Sequence, residues 1–180
     1  MKQLSDATRR TCLVPHSSPE GKDVARQWLQ ELPPPATVLD VGAGAGTWAH
    51  HLRGLWPEAR WTALEVHEPY VEEFGLLALY DEVVVCDVRL FGWQPYDLVI
   101  FGDVLEHLPL KDAVNAWDLA CSCSPAVLAS LPIVDYPQGA VNGNDHERHL
   151  VTWSNQLALH YLKPTRMWAG NEIGVYLCAS

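Results

Sequence analysis

Apolar residues occur in short runs separated by polar stretches that carry glycine or proline, and two spacings alternate along the chain. Near-continuous apolar runs predict buried strands, and apolar positions spaced three and four apart predict helices. Thr37–Val41 reads as a strand and 48–55 as a helix, followed by a strand at 60–66 and a helix at 69–79. Val83-Val84-Val85 marks a strand at 82–88, and Leu98-Val99-Ile100-Phe101 another at 96–101. A helix at 110–121 puts Val114, Trp117 and Cys121 on one face, and a strand covers 126–133. Residues 152–161 predict a helix capped by Thr152, and 166–179 two strands around Asn171-Glu172-Ile173-Gly174. Ahead of this series, Ser18 reads as an N-cap with Pro19 at the first helical position. Val24, Trp28 and Leu29 form that helix's apolar stripe, Pro33-Pro34-Pro35 ends it, and residues 1–16 read as a loose arm.

Strands that alternate with helices and are apolar throughout predict a mostly parallel sheet covered on both faces. Too few residues separate the last two strands for a crossover helix, so they form an antiparallel hairpin. The expected fold is a doubly wound α/β domain spanning residues 1–180, with a mostly parallel seven-stranded sheet and a C-terminal antiparallel hairpin. Composition agrees: 180 residues, 48% hydrophobic and 19% charged, fit one globular domain. No apolar run reaches the about 18 residues of a membrane span, and the polar stretch 1–10 lacks a signal-peptide core. Five scattered cysteines, an odd number, argue against a disulfide framework and predict a cytoplasmic, reducing setting. The net charge of −10 disfavours nucleic acid as a partner.

The densest chemical signal is Val38-Leu39-Asp40-Val41-Gly42-Ala43-Gly44-Ala45-Gly46-Thr47. Glycines at a strand-to-helix turn let the backbone approach a ligand closely. Such a loop fits a dinucleotide site, a P-loop relative or a tight turn. Here Thr47 stands where nicotinamide enzymes carry a third glycine, and no lysine follows as a P-loop requires. Asp40 suits orienting the loop or attracting an ammonium better than holding a pyrophosphate. Three more carboxylates end the next strands. Glu65 lies 19 residues beyond Gly46 and can accept from both hydroxyls of a ribose. Asp87 can accept from an adenine amino group, and Asp103 follows the fourth strand. Open α/β sheets bind ligands at these strand ends.

With these residues in view, the chain resembles the class I S-adenosylmethionine methyltransferases over roughly residues 36–180. Leu39 to Gly46 is similar to their glycine-rich motif, Glu65 to their ribose-binding acid and Asp87 to the acid beside adenine. Asp103-Val104-Leu105-Glu106-His107-Leu108 resembles the post-strand motif of the ubiquinone-biosynthesis-like subgroup. The resemblance implies S-adenosylmethionine as cofactor and S-adenosylhomocysteine as product. It implies that Asp40, Gly42, Ala43, Gly44, Gly46, Glu65, Val66, Asp87, Val88, Asp103 and Val104 line their site. It also implies strands six and seven from the final hairpin. No large insertion is present, so a small-molecule acceptor would be held by short loops.

The candidate acceptor loop, 134–150, is long, polar and rich in titratable groups, as lids and binding loops are. Its Pro137-Gln138-Gly139 and Gly143-Asn144 are similar to a segment of some small methyltransferases of this class. Tyr136, Asn144, Glu147 and His149 are the expected acceptor contacts. His107, His146 and His149 are candidate general bases, since histidine titrates near neutrality, and a structural role for His149 is the alternative. Neither Cys121-x-Cys123 nor Asp145-His146-Glu147-Arg148-His149 has the spacing of a defined metal site, so no metal is assigned. Trp48, Trp117 and Trp153 read as packing residues. Two other functions stay open: an NAD(P)-dependent oxidoreductase, which Glu65 would suit, and a non-catalytic protein that binds S-adenosylmethionine.

Overall fold

The computed structural model describes residues 17–180, so the expected arm at 1–16 lies outside the described residues. The order of elements is α1 (Lys22–Gln30), β1 (Thr37–Val41), α2 (Thr47–Leu52), β2 (Arg60–Glu65), α3 (Pro69–Glu73), α4 (Leu76–Leu79) and β3 (Glu82–Val85). Then come β4 (Leu98–Gly102), α5 (Leu110–Cys123), β5 (Ala126–Pro132), α6 (Asn155–Leu162), β6 (Arg166–Ala169) and β7 (Ile173–Ala179). The strands form one sheet in the order β3-β2-β1-β4-β5-β7-β6. The first five are parallel, and β7 runs antiparallel between β5 and β6. The expected doubly wound sheet and terminal hairpin are both present.

Alternate side chains along each strand feed two cores. Leu39, Val41, Leu64, Val99, Phe101, Val127 and Ala129 pack on the side of α5 and α6 with Trp117, Trp153 and Leu162. Val38, Trp61, Ala63, Ile100 and Leu128 pack on the other side against α1, α2 and α4 with Leu29, Trp48, Leu52 and Leu76. Every residue of β5 is buried, as a strand covered on both faces requires. β3 is only partly covered, with Val85 48% exposed, because it forms the sheet edge.

Several local expectations are corrected. α1 starts at Lys22, after Gly21 in a left-handed turn, and Ser18 instead accepts from the Glu20 N–H at 3.2 Å. The reason is long-range. The Glu20 carboxylate accepts the N–H groups of Asn171, Glu172 and Ile173 at 2.7–2.9 Å, tying this turn to the β6–β7 connection. Those amides hold its carboxyl below the usual carboxylate range. The helix expected over 69–79 is two short helices, because Gly75 adopts φ 62° between them. The cap of α6 is Ser154, whose hydroxyl accepts from the Leu157 N–H, whereas Thr152 faces Asp135 at 3.5 Å. The buried face of α5 is Ala113, Ala116, Trp117 and Ala120, while Val114 and Cys121 are half-buried.

The chain leaves β1 toward β2 on one side and returns through β4 on the other. The loops after β1 and β4 therefore diverge at the carboxyl edge, and divergence of this kind opens a crevice in doubly wound sheets.

Candidate functional site

The glycine turn is held by the neighbouring strand. The N–H groups of Gly42 and Ala43 both donate to the Leu64 carbonyl, at 2.7 and 3.3 Å. Gly42, Gly44 and Gly46 have φ of 65°, 50° and 70°, a region that side chains rarely adopt. A Cβ at Gly42 would collide with Val104, and one at Gly46 with Leu79. The turn is thus packed from below, and its open side faces a cleft of about 720 Å³. That volume falls within the range of cofactor sites, about 300–1,000 Å³.

Glu65 closes the turn. It is 4% exposed, and its carboxylate accepts the Gly44 N–H at 2.9 Å and the His67 N–H at 2.8 Å. Each oxygen keeps acceptor capacity toward the cleft that the residue lines. Asp87 is gripped by the guanidinium of Arg89 through both oxygens, and this pairing holds its carboxyl below the ordinary range. Asp103, with φ 57°, accepts from the Ser17 hydroxyl. Ser17 in turn accepts from Lys22 Nζ at 2.6 Å. Lys22 is 6% exposed, sits 4.7 Å from the centre of the Trp48 ring, and burial pulls its ammonium below the usual lysine range. No sequence pattern announced this lysine, because the ring it lies against, Trp48, and the carboxylate that draws on its charge, Asp103, are far away along the chain.

Gly42, Ala43, Gly44, Glu65, Val66, Asp87, Val88, Asp103 and Val104 all line the cleft. Asp40 and Gly46 do not. Asp40 is 1% exposed on the α1–α2 side of the sheet, where Oδ2 accepts from the Tyr80 hydroxyl at 2.6 Å. Burial pushes its carboxyl up to about 7, although Tyr80 favours the charged form. The unfolded chain releases this proton near pH 4 and the folded chain only near pH 7, so the folded state holds more protons in between. Stability therefore falls as pH rises through that window, by at most about 1.4 kcal/mol per unit. Urea denaturation of wild type and Asp40→Asn from about pH 4.5 to 7.5 should show wild type losing stability relative to the variant. A difference that stays constant across the window would contradict this environment for Asp40.

The 134–150 loop folds back over the exit of β4. Leu150 and Val151 donate their N–H groups to the Glu106 carbonyl at 2.8 and 3.1 Å, and Gln138 Nε2 donates to the Glu147 carbonyl at 2.7 Å. Asn144, 3% exposed, accepts from the His146 N–H at 3.0 Å. Glu147 accepts from the Tyr70 hydroxyl at 3.1 Å, and burial raises its carboxyl. His149 Nδ1 meets the Tyr136 carbonyl at 2.7 Å, and the His107 and His149 rings stand edge to face at 4.7 Å. His107, Tyr136, Asn144, His146, Glu147 and His149 all line the cleft. Burial lowers His107 to about 4 and also lowers His149. A ring held as low as His107 is neutral at pH 7 and a weak proton acceptor.

Glu106 went unassigned in the sequence, although it sits inside the post-strand motif. Its side chain is 1% exposed in the cleft wall, and burial, reinforced by Asp103, raises its carboxyl well above the usual range.

No family model matches the chain. Solved structures do. The magnesium protoporphyrin IX methyltransferase of Synechocystis PCC 6803, with bound SAH, superposes with a TM-score of 0.63 at 18% identity, covering 88% of this chain and 81% of that one. The N-terminal domain of EvdMO1 with SAH bound gives 0.63 at 15% identity, covering 89% and 80%. This is the Rossmann-like methyltransferase fold. Mitomycin 7-O-methyltransferase shares it, with a TM-score of 0.63 at 19% identity, and the chain spans 54% of that protein. In sequence, 79 residues are 33% identical to a tRNA (guanine-N(7)-)-methyltransferase of Cupriavidus necator, covering 44% of this chain and 27% of that protein.

Proposed function

We propose that the chain is an S-adenosylmethionine-dependent methyltransferase acting on a small-molecule acceptor, built as one catalytic unit. The observation that carries this reading is the pairing of Gly44 with Glu65 at the switch point of the sheet. An acid is locked beside a side-chain-free turn, in a cleft large enough for the cofactor. In this reading Glu65 takes the ribose hydroxyls, Asp87 and Val88 border the adenine, and Gly42 to Gly44 lie against the amino-acid portion with Asp103. Asp40 acts from beneath, supporting the turn through Tyr80. Tyr136, Asn144, Glu147 and His149 border the acceptor. The Asp103–Leu108 segment favours the ubiquinone-biosynthesis-like branch.

When bound, S-adenosylmethionine supplies a methyl carbon on a sulfonium, already activated for in-line displacement. The residues of the chain then have to position the acceptor and exclude water. His146, Glu147 and His149 are the groups able to take a proton where the acceptor carries one. The odd number of scattered cysteines is the ground for placing the chain in a reducing, cytoplasmic compartment, and no helix among the described residues is long and apolar enough to cross a membrane.

The Cupriavidus relative makes tRNA the second acceptor class. The acid-rich cleft wall and the net charge of −10 argue against it. The missing third glycine argues against a nicotinamide enzyme. Incubation with methyl-labelled cofactor and a metabolite extract should give a labelled small molecule and leave added tRNA unlabelled. Labelled tRNA would overturn the acceptor class, and cofactor binding without any transfer would favour the non-catalytic reading.

A further inference from the structure

We propose that Lys22 is a positioning residue for the amino-acid end of the cofactor, acting through Ser17 to hold the Asp103 carboxylate where it can accept from the cofactor's ammonium. Ser17 and Asp103 line the cleft, and Lys22 stands behind them. The inference rests on the methyltransferase reading and adds to it a residue outside the cleft wall.

The hydrogen bonds form a directed chain. An ammonium only donates, so Lys22 Nζ gives an N–H to the Ser17 hydroxyl oxygen at 2.6 Å and another to the Ser18 carbonyl at 2.5 Å. Ser17 has a single hydroxyl proton, and it goes to Asp103 Oδ2. Hydrogen bonds aligned head to tail strengthen one another, and a charge at each end adds to this. Asp103 is fixed through its backbone as well. Its N–H donates to the Ser130 carbonyl at 2.8 Å, and its φ of 57° is a conformation that residues other than glycine seldom adopt. Such a backbone persists where its surroundings over-determine it, and residues held this way cluster at ligand sites.

The charges fit the same role. Among the described residues, Arg89 is the only lysine or arginine on the cleft wall, and Asp87 grips it. Lys22 supplies a positive charge to Asp103 from behind instead, and attraction to Asp103 and Asp40 offsets part of the burial of its ammonium. Packing alone does not call for a lysine here. A methionine of similar length would fill the space against Trp48 without a buried charge to desolvate. What an apolar side chain cannot do is orient the Ser17 proton.

The test compares two ligands that differ at the amino-acid end. S-adenosylhomocysteine and 5′-methylthioadenosine share the nucleoside and the thioether, and only the first carries the amino acid. Calorimetry should show Lys22→Met losing affinity for S-adenosylhomocysteine by at least about tenfold, while 5′-methylthioadenosine stays within about twofold of wild type. Ser17→Ala should shift the ratio in the same direction by a smaller factor. Circular dichroism melts check the fold, and if Lys22→Met is destabilised, Ser17→Ala, at a half-buried residue, carries the comparison. A merely structural role would weaken both ligands together or neither. Either result in folded variants would overturn the proposal and leave the methyltransferase reading standing. Failure of wild type to bind S-adenosylhomocysteine would remove that reading, and the role of Lys22 with it.

Discussion

Glu65→Ala should weaken S-adenosylmethionine binding by about 1.5–3 kcal/mol, roughly ten- to a hundredfold or slightly more, and reduce methyl transfer accordingly. Two losses combine in this one change. The first is the charged acceptor proposed for the ribose hydroxyls. The second is structural: the N–H groups of Gly44 and His67 lose their carboxylate partner in a site where Glu65 is 4% exposed. Gly44 then has less to hold it at φ 50°, and the turn that faces the cofactor loosens. Glu65→Gln separates the two losses. Its amide oxygen can still accept one of the two N–H groups, so the fold should persist while affinity falls to an intermediate value. Calorimetry on the three proteins reads the series directly. Equal affinity in wild type and Glu65→Ala would remove Glu65 from the cofactor site.

Trp48→Ala should cost about 3–5 kcal/mol in stability, a large share of the 5–15 kcal/mol that typically holds a domain together. Trp48 is 3% exposed at the start of α2 and joins three parts of the molecule. Its ring carries the Lys22 ammonium at 4.7 Å, and its indole nitrogen occupies the space where a Cβ on Gly102 would stand. Its edge also forms part of the cleft wall beside the glycine turn. Truncation leaves a cavity between β4 and α2 and exposes Lys22, whose position depends on that ring. Urea denaturation should show a lower midpoint with little change in slope. A loss below about 1 kcal/mol would mean that the neighbouring core collapses into the gap, contrary to this packing.

The parts of the fold that were legible are those set by local chemistry. The runs at 37–41 and 98–101 are apolar enough to be strands in almost any context. The turn Gly42 to Gly46 carries residues that only a close backbone approach requires. Glu65 ends β2, and Asp87 and Asp103 follow β3 and β4, so their place at the carboxyl edge follows from the apolar runs ahead of them. What escaped was set by contacts across the chain. The start of α1 is moved by Glu20 reaching residues 171–173, and Lys22 is covered by the ring of Trp48, which follows it by about 25 residues. Asp40 is an instructive case. It lies between Leu39 and Val41, which face α5 and α6, so strand alternation alone directs it to the opposite side, away from the cofactor cleft. The meeting of Glu106 and His107 with His149 depends on how a 17-residue loop folds back, which no periodicity encodes.

Calorimetric titration of the wild-type protein with S-adenosylhomocysteine, beside a matched titration with NADH, tests the central claim most directly. One equivalent of S-adenosylhomocysteine should bind with micromolar affinity, and NADH should give no heat of binding. Tight binding of NADH with none of S-adenosylhomocysteine would contradict the methyltransferase reading.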